Sequence, residues 1–146
     1  MVGDTYGLTN QYSVYDLTMR CKSLGGFKEF KDGRIKGVFH HPLVELAKKV
    51  GIAGRVESHV NNNLIKDEIK KNHFAVLSID LHRLTGFMNG GHLILIHQYD
   101  SVTDSFILHD CAALVGSNGK NIKISPAGLD AISNYKGIIL WKPGNE

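Results

Sequence analysis

The stretch "GGHLILIHQYDSVTDSFILHDC", Gly90 to Cys111, constrains the chain more than any other. Two apolar runs, roughly His92–Tyr99 and Ser105–His109, flank a short polar segment rich in turn-forming residues. That pattern reads as a β-hairpin. Its ends are unusual: one ionisable side chain, His92, opens it and another, Asp110, closes it. A hairpin that only holds up a sheet needs neither.

Pairing Tyr99 with Ser105 across a five-residue loop sets a register in which Ile96 faces Leu108 and Ile94 faces Asp110. His92 then lies diagonally beside Asp110 on the same face, about 7–8 Å away at the backbone and within reach of long side chains. A slip of one residue would send the two to opposite faces. A histidine works as a general base when its tautomer and ring orientation are fixed. An aspartate accepting one ring N–H fixes both. Gly90-Gly91 allows a tight backbone approach in front of the imidazole and leaves room for a substrate main chain. The spacing alone equally permits two polar residues at strand ends, each satisfied by water.

The rest of the chain places this hairpin in an α+β fold. "SVYDLTMRCKSLGG" predicts a helix over Val14–Leu24, with Ser13 as N-cap, Asp16 in the first turn and Gly25-Gly26 as the stop. "FKEFKDGRIKG" reads as a loop or weak hairpin around Asp32-Gly33. "HHPLVELAKKVG" is a second helix, with Pro42 at its first position and Gly51 ending it. "IAGRVES" reads as a short strand, "NNNLIKDEIKKN" as an asparagine-capped helix, and "FAVLSID" as a buried strand from Phe74 to Asp80. "LHRLTGFMNGG" is expected to be a loop. "NIKIS" predicts a strand, Ser125-Pro126 starts a short helix, and "GIILWKP" closes the sheet, which is expected to be mostly antiparallel.

A length of 146 residues suits one domain with a core of its own. The net charge of +3 is mild, and the pairs Lys48-Lys49 and Lys70-Lys71 lack interleaved aromatics, so nucleic acid is not an expected partner. The start "MVGDTYGLTNQ" carries no basic segment and no apolar run, and no stretch is long and apolar enough to span a membrane. Two scattered cysteines, Cys21 and Cys111, make no disulfide framework and point to a reducing, cytoplasmic setting. Eight histidines invite a metal reading. His92 and His97 point to opposite faces of a strand, adjacent His40-His41 diverge, and no zinc-ligand spacing occurs, so neither metal nor another cofactor is expected. His97 and His109 could face each other on the far side of the hairpin, or stand there as two half-exposed histidines. "GSNGKN" is a turn rather than a phosphate loop, and Trp141 belongs to core or sheet edge.

"NHFAVLSIDL", "GGHLILIHQYD" and "FILHDC" together resemble the C-terminal half of papain-like cysteine peptidases of the bacteriocin-processing, double-glycine-cleaving type. Upstream, "YGLTNQYSVYDLTMRCKSLGG" is similar to the segment after that family's catalytic helix, and "HHPLVELAKKVGIAGRV" to the helix preceding the buried strand. The resemblance implies a single peptidase-like domain over 1–146, a papain-like fold, and an extended peptide or protein as substrate. It implies His92 as catalytic base and Asp110 as its orienting acid. Cys111 stands where proline is commoner.

The resemblance also implies a nucleophilic cysteine opening a helix ahead of the "YGL" segment, with a glutamine shortly before it. "MVGDTY" supplies neither. Cys21 falls late on the apolar face of its helix and reads as a buried structural residue. Cys111 directly follows Asp110 and faces away from His92 in the register above. Ser13, with Gln11 two residues earlier, reads as a helix cap, since the family's gap between glutamine and nucleophile is longer. Three explanations stay open: a second polypeptide or a lost N-terminal piece supplies the thiol, the chain is a catalytically inactive peptide- or partner-binding module, or a thiol reaches the histidine by another route.

Overall fold

The structure is a computed structural model that describes residues 11–116 and 118–144. Its elements in chain order are α1 (Val14–Ser23), β1 (Phe27–Glu29), β2 (Ile35–Val38), α2 (His40–Lys49), β3 (Ala53–Glu57), α3 (Asn62–Lys70), β4 (Phe74–Asp80), α4 (Leu81–Thr85), β5 (Gly91–Asp100), β6 (Ser105–His109), β7 (Ile122–Ile124), α5 (Pro126–Ile132) and β8 (Ser133–Trp141). β1 and β2 form a small hairpin, and the other six strands form one sheet in the order β3-β8-β4-β5-β6-β7. Every pairing is antiparallel. The fold is therefore α+β, as the sequence predicts.

The two faces of the sheet are packed by different helices, because buried residues alternate along each strand. Ala75, Leu77 and Ile79 of β4, with Ile94, Ile96, Phe106, Leu108 and Ile139, pack against Ile65 of α3 and Leu129 and Ile132 of α5. The intervening residues Val76, Ile138 and Leu140 pack on the opposite face against Val44 and Ala47 of α2. Burying a side chain such as Ile94 or Leu77 stabilises the fold by about 1.5–3 kcal/mol. This two-sided burial fixes the register of β4 and β5, and with it the position of His92.

Local chemistry explains most element boundaries. Ser13 caps α1 in a reciprocal box: its Oγ accepts from the Asp16 amide at 3.1 Å, and Asp16 Oδ2 accepts from the Ser13 amide at 3.1 Å. Asn61 Oδ1 caps α3 through the Leu64 amide at 2.9 Å. Ser125 Oγ caps α5 through the Gly128 amide, with Pro126 in the first turn. Phe74–Asp80 is a strand over the bounds the sequence predicts.

Three expectations are corrected. α2 begins at His40 with Phe39 as N-cap, so Pro42 is its third residue. The missing proline N–H costs nothing there, because amides of the first turn have no partner within the helix. "LHRLT" is a short helix rather than loop: Asp80 Oδ1 accepts from the amides of His82 and Arg83 at 2.8 and 3.1 Å and starts a turn straight out of β4. β8 begins at Ser133, ahead of the apolar "GIILW", and passes through Tyr135 at φ +60°. No helix among the described residues is long and apolar enough to cross a membrane.

Candidate functional site

The hairpin reaches the expected geometry by a different route. Asp100, not Tyr99, pairs with Ser105, and Tyr99 pairs with Phe106. The register then shifts between Ile96 and Gln98, and Ile96 pairs with Leu108 as the sequence predicts. His97 is the extra residue of a β-bulge, which absorbs the difference at the turn and restores the pairing beyond it. Leu95 faces His109, so the next step along the ladder brings Asp110 opposite Ile94 and diagonal to His92.

The side chains meet. His92 Nε2 lies 2.6 Å from Asp110 Oδ1. Asp110 is fully enclosed, and His92 keeps 16% of its side-chain surface open. Asp110 Oδ1 also accepts from the Ala112 amide at 3.0 Å, and Oδ2 from the Val115 amide at 2.7 Å. Burial alone would raise its proton affinity, but the bonds from His92, Val115 and Ala112 outweigh that and hold the carboxyl below its ordinary range. An anionic Asp110 makes His92 Nε2 the donor, which leaves Nδ1 as the ring's other hydrogen-bonding atom.

The loop after β6 builds this cage. Asp110 N–H donates to the Gly119 carbonyl at 2.8 Å, and Ala113 N–H donates to the Asp110 carbonyl at 3.0 Å. Gly119 sits at φ +68°, and a Cβ on it would stand 2.3 Å from the Asp110 carbonyl oxygen. Only glycine lets the chain close on Asp110 here.

His92 lines a cleft of about 240 Å³ together with Lys36, Gly37 and Val38 of β2, His40 at the start of α2, Ser78 of β4, Gly91 and Leu93. The two glycines before His92 have separate roles. Gly90 takes φ +115°, and Gly91 forms part of the cleft wall. Ser78 Oγ accepts from Asn134 Nδ2 at 2.9 Å. Burial, then His41 and Lys136, push the proton affinity of His40 down. Sequence reasoning did not bring Lys36, His40 and Ser78 to His92, because they come from three separate elements and share no linear motif.

The other candidates fall elsewhere. Cys21 is 2% exposed, on the inner face of α1, and burial pushes its thiol up, away from the reactive thiolate. Cys111 is exposed, and both cysteines are free. Neither lines the cleft around His92. Ser13 is a helix cap. His97 and His109 do face each other, their rings stacked at 4.4 Å, and His109 Nδ1 accepts from the Asn121 amide. Among the described residues no group of three or more His, Cys, Asp or Glu is arranged to hold a metal ion.

A second imidazole–carboxylate pair went unnoticed in the sequence. Glu68, near the end of α3, places Oε2 2.6 Å from His73 Nδ1, just before β4. Arg55 and Lys71 approach Glu68 Oε1 at 3.1 and 3.0 Å, and Trp141 stacks on the His73 ring at 5.2 Å. Burial would raise Glu68, but hydrogen bonds from His73, Arg55 and Lys71 carry it down to about 2.

No family model matches the chain, and no curated protein matches it. Solved structures do. The peptidase domain of Streptococcus ComA, a bifunctional ABC transporter involved in quorum sensing, superposes with a TM-score of 0.64 at 17% identity, over 97% of this chain and 85% of that one. A double-glycine-motif protease from an AMS/PCAT transporter, solved with its leader peptide, gives 0.54 at 9% identity over 97% and 80%. A C39-like peptidase from Bacillus anthracis gives 0.53 at 15% identity over 77% and 64%. This chain has the papain-like α+β fold of these peptidase domains.

Proposed function

We propose that the chain is a cysteine-peptidase-like domain whose cleft receives an extended peptide, with His92 as the base and Asp110 as the acid that orients it. The observation that carries this reading is the 2.6 Å contact between His92 Nε2 and the enclosed Asp110, at the wall of an open cleft. The peptide ligand is supported by the neighbour solved with a leader peptide. A pair of free cysteines agrees with a reducing, cytoplasmic setting.

In the complete reaction, His92 Nδ1 takes the proton of a thiol, and the thiolate attacks the carbonyl carbon of the scissile bond. The same imidazole then protonates the departing amine. Water, activated by His92, hydrolyses the thioester. Asp110 stays ionised throughout and stabilises the imidazolium. Cys21 and Cys111 do not line the cleft, so the thiol belongs to a cysteine other than these two, carried by a second polypeptide or by further sequence joined to this chain.

The same fact favours a second reading for the isolated chain: a peptide- or partner-binding module that does not cleave. A peptide with a central Gly-Gly and an electrophilic nitrile in place of the scissile carbonyl separates the two. Both readings predict that the peptide perturbs the amide NMR signals of Gly91, His92, Leu93 and Val38. The peptidase reading predicts covalent capture once a cysteine-bearing helix is supplied, abolished by His92→Ala. Perturbation without capture in every such assembly selects the binding module. No perturbation at the cleft contradicts both.

A further inference from the structure

The cleft beside His92 has a one-sided charge inventory. Its lining holds Lys36 and two imidazoles, His40 and His92, and no Asp or Glu. Among the described residues Lys36 has no carboxylate partner; its Nζ lies 5.5 Å from the centre of the Phe30 ring. Lys136 acts electrostatically on His40 and adds a second positive charge nearby.

The acids on the elements that supply this lining have other partners. On the β1–β2 hairpin, Glu29 is held by Lys22 at 3.0 Å and Asp32 by Arg34 at 2.7 Å. Asp80, at the end of β4, faces the α4 amides and Arg83. Asp110 is enclosed by His92, Ala112 and Val115. The first turn of α2, where His40 stands, contains no acidic residue and receives no side-chain cap, so its partial positive charge adds to the same sign. Lys36 and His40 both line a part-enclosed space whose lining holds no carboxylate, and a long, flexible lysine beside an imidazole there makes a natural receptor for one.

We propose that the cleft selects peptides that place a carboxylate against Lys36 and His40, making these two residues specificity determinants of the ligand. This rests on the peptide-binding reading above and adds the chemistry of the ligand to it. The carboxylate comes from an Asp or Glu side chain or from a peptide C-terminus. Gly37, Gly91 and Leu93 form the neutral wall along which the peptide backbone runs.

The test is fluorescence anisotropy with short fluorescein-labelled peptides containing a central Gly-Gly. One carries glutamates and an amidated C-terminus, one carries glutamines with a free C-terminus, and one carries glutamines with an amidated C-terminus. A carboxylate-bearing peptide is expected to bind about fivefold tighter than the uncharged one at low salt, as one part-exposed ion pair allows. The arm that shows the gain identifies the source of the carboxylate. The advantage is expected to shrink on moving to physiological salt, where the Debye length is about 8 Å. It is expected to vanish in Lys36→Gln and to persist in Lys49→Gln, a lysine outside the cleft. The peptide comparison needs no variant to fold. Equal affinity of all three peptides overturns the charge selection and leaves the peptide-binding reading standing. Failure of every peptide to bind overturns that reading and the selection with it.

Discussion

The molecule contains the same chemical unit twice, in two settings. His92–Asp110 and His73–Glu68 are both imidazole–carboxylate pairs at 2.6 Å, and they sit at opposite ends of β4. His73 directly precedes that strand, while His92 pairs with Ile79 near its other end. Glu68 has two further cations, Arg55 and Lys71, and the His73 ring lies under Trp141 with 4% of its side chain exposed. Asp110 instead has two backbone amides, and its histidine borders a cleft. A short contact between the two groups is therefore not by itself the mark of a reactive site. What separates the pairs is where the remaining polar atoms go. One network ties α3, β3 and β8 to the start of β4; the other holds one imidazole in place and leaves it reachable.

The sharpest contrast is in stability. Glu68→Gln leaves two cations and a buried imidazole without their anion and is expected to cost about 3 kcal/mol. Asp110→Asn keeps one acceptor and loses mainly the amide bond to Val115 and the charge, an expected cost of about 1–2 kcal/mol. Urea denaturation measures both, and equal costs would erase the distinction between a clamp and a site. The peptide-induced signals of the cleft are expected to survive Glu68→Gln.

Acid acts on both pairs. Glu68 is lowered from 4.5 when unfolded to about 2 when folded. Its contribution is therefore complete above pH 4.5 and is lost as pH falls toward 2, on the order of 3 kcal/mol in all. Asp110 is shifted in the same direction, so it too loses stabilisation as acid protonates it. Unfolding free energies measured across this range should fall less steeply in Glu68→Gln than in the natural chain. An unchanged slope would mean that Glu68 is not the main acid-sensitive group.

Gly119→Ala is the more selective perturbation. It forces a side chain into a left-handed backbone position and against the Asp110 carbonyl, at an expected cost of about 1–3 kcal/mol. Its NMR shifts are expected at Asp110 and His92 and not at His73. Shifts spread evenly over both imidazoles would indicate general loosening.

These two regions were unequally legible in the sequence. His92 and Asp110 flank one hairpin, so a period-two pattern and a turn suffice to bring them together, and the bulge at His97 compensates for the misplaced first pair. Phe74–Asp80 was readable because five of its seven residues are apolar, the mark of a strand buried in the sheet. Glu68 and His73 are five residues apart, but their partners Arg55 and Trp141 arrive through β3 and β8, whose adjacency is fixed only by the assembled sheet. The cleft residues Lys36, His40 and Ser78 have the same origin in tertiary structure. The short helix α4 was missed because Asp80 acts both as the last residue of a strand and as a cap.

Proton and nitrogen NMR of the two imidazoles tests the central claim most directly. Both pairs should show a hydrogen-bonded ring proton, on Nε2 for His92 and on Nδ1 for His73, with the His92 proton exchanging faster. Adding the Gly-Gly peptide should shift the His92 ring signals and leave those of His73 in place. A His92 ring carrying its proton on Nδ1 alone, or a peptide that moves neither ring, would contradict the account.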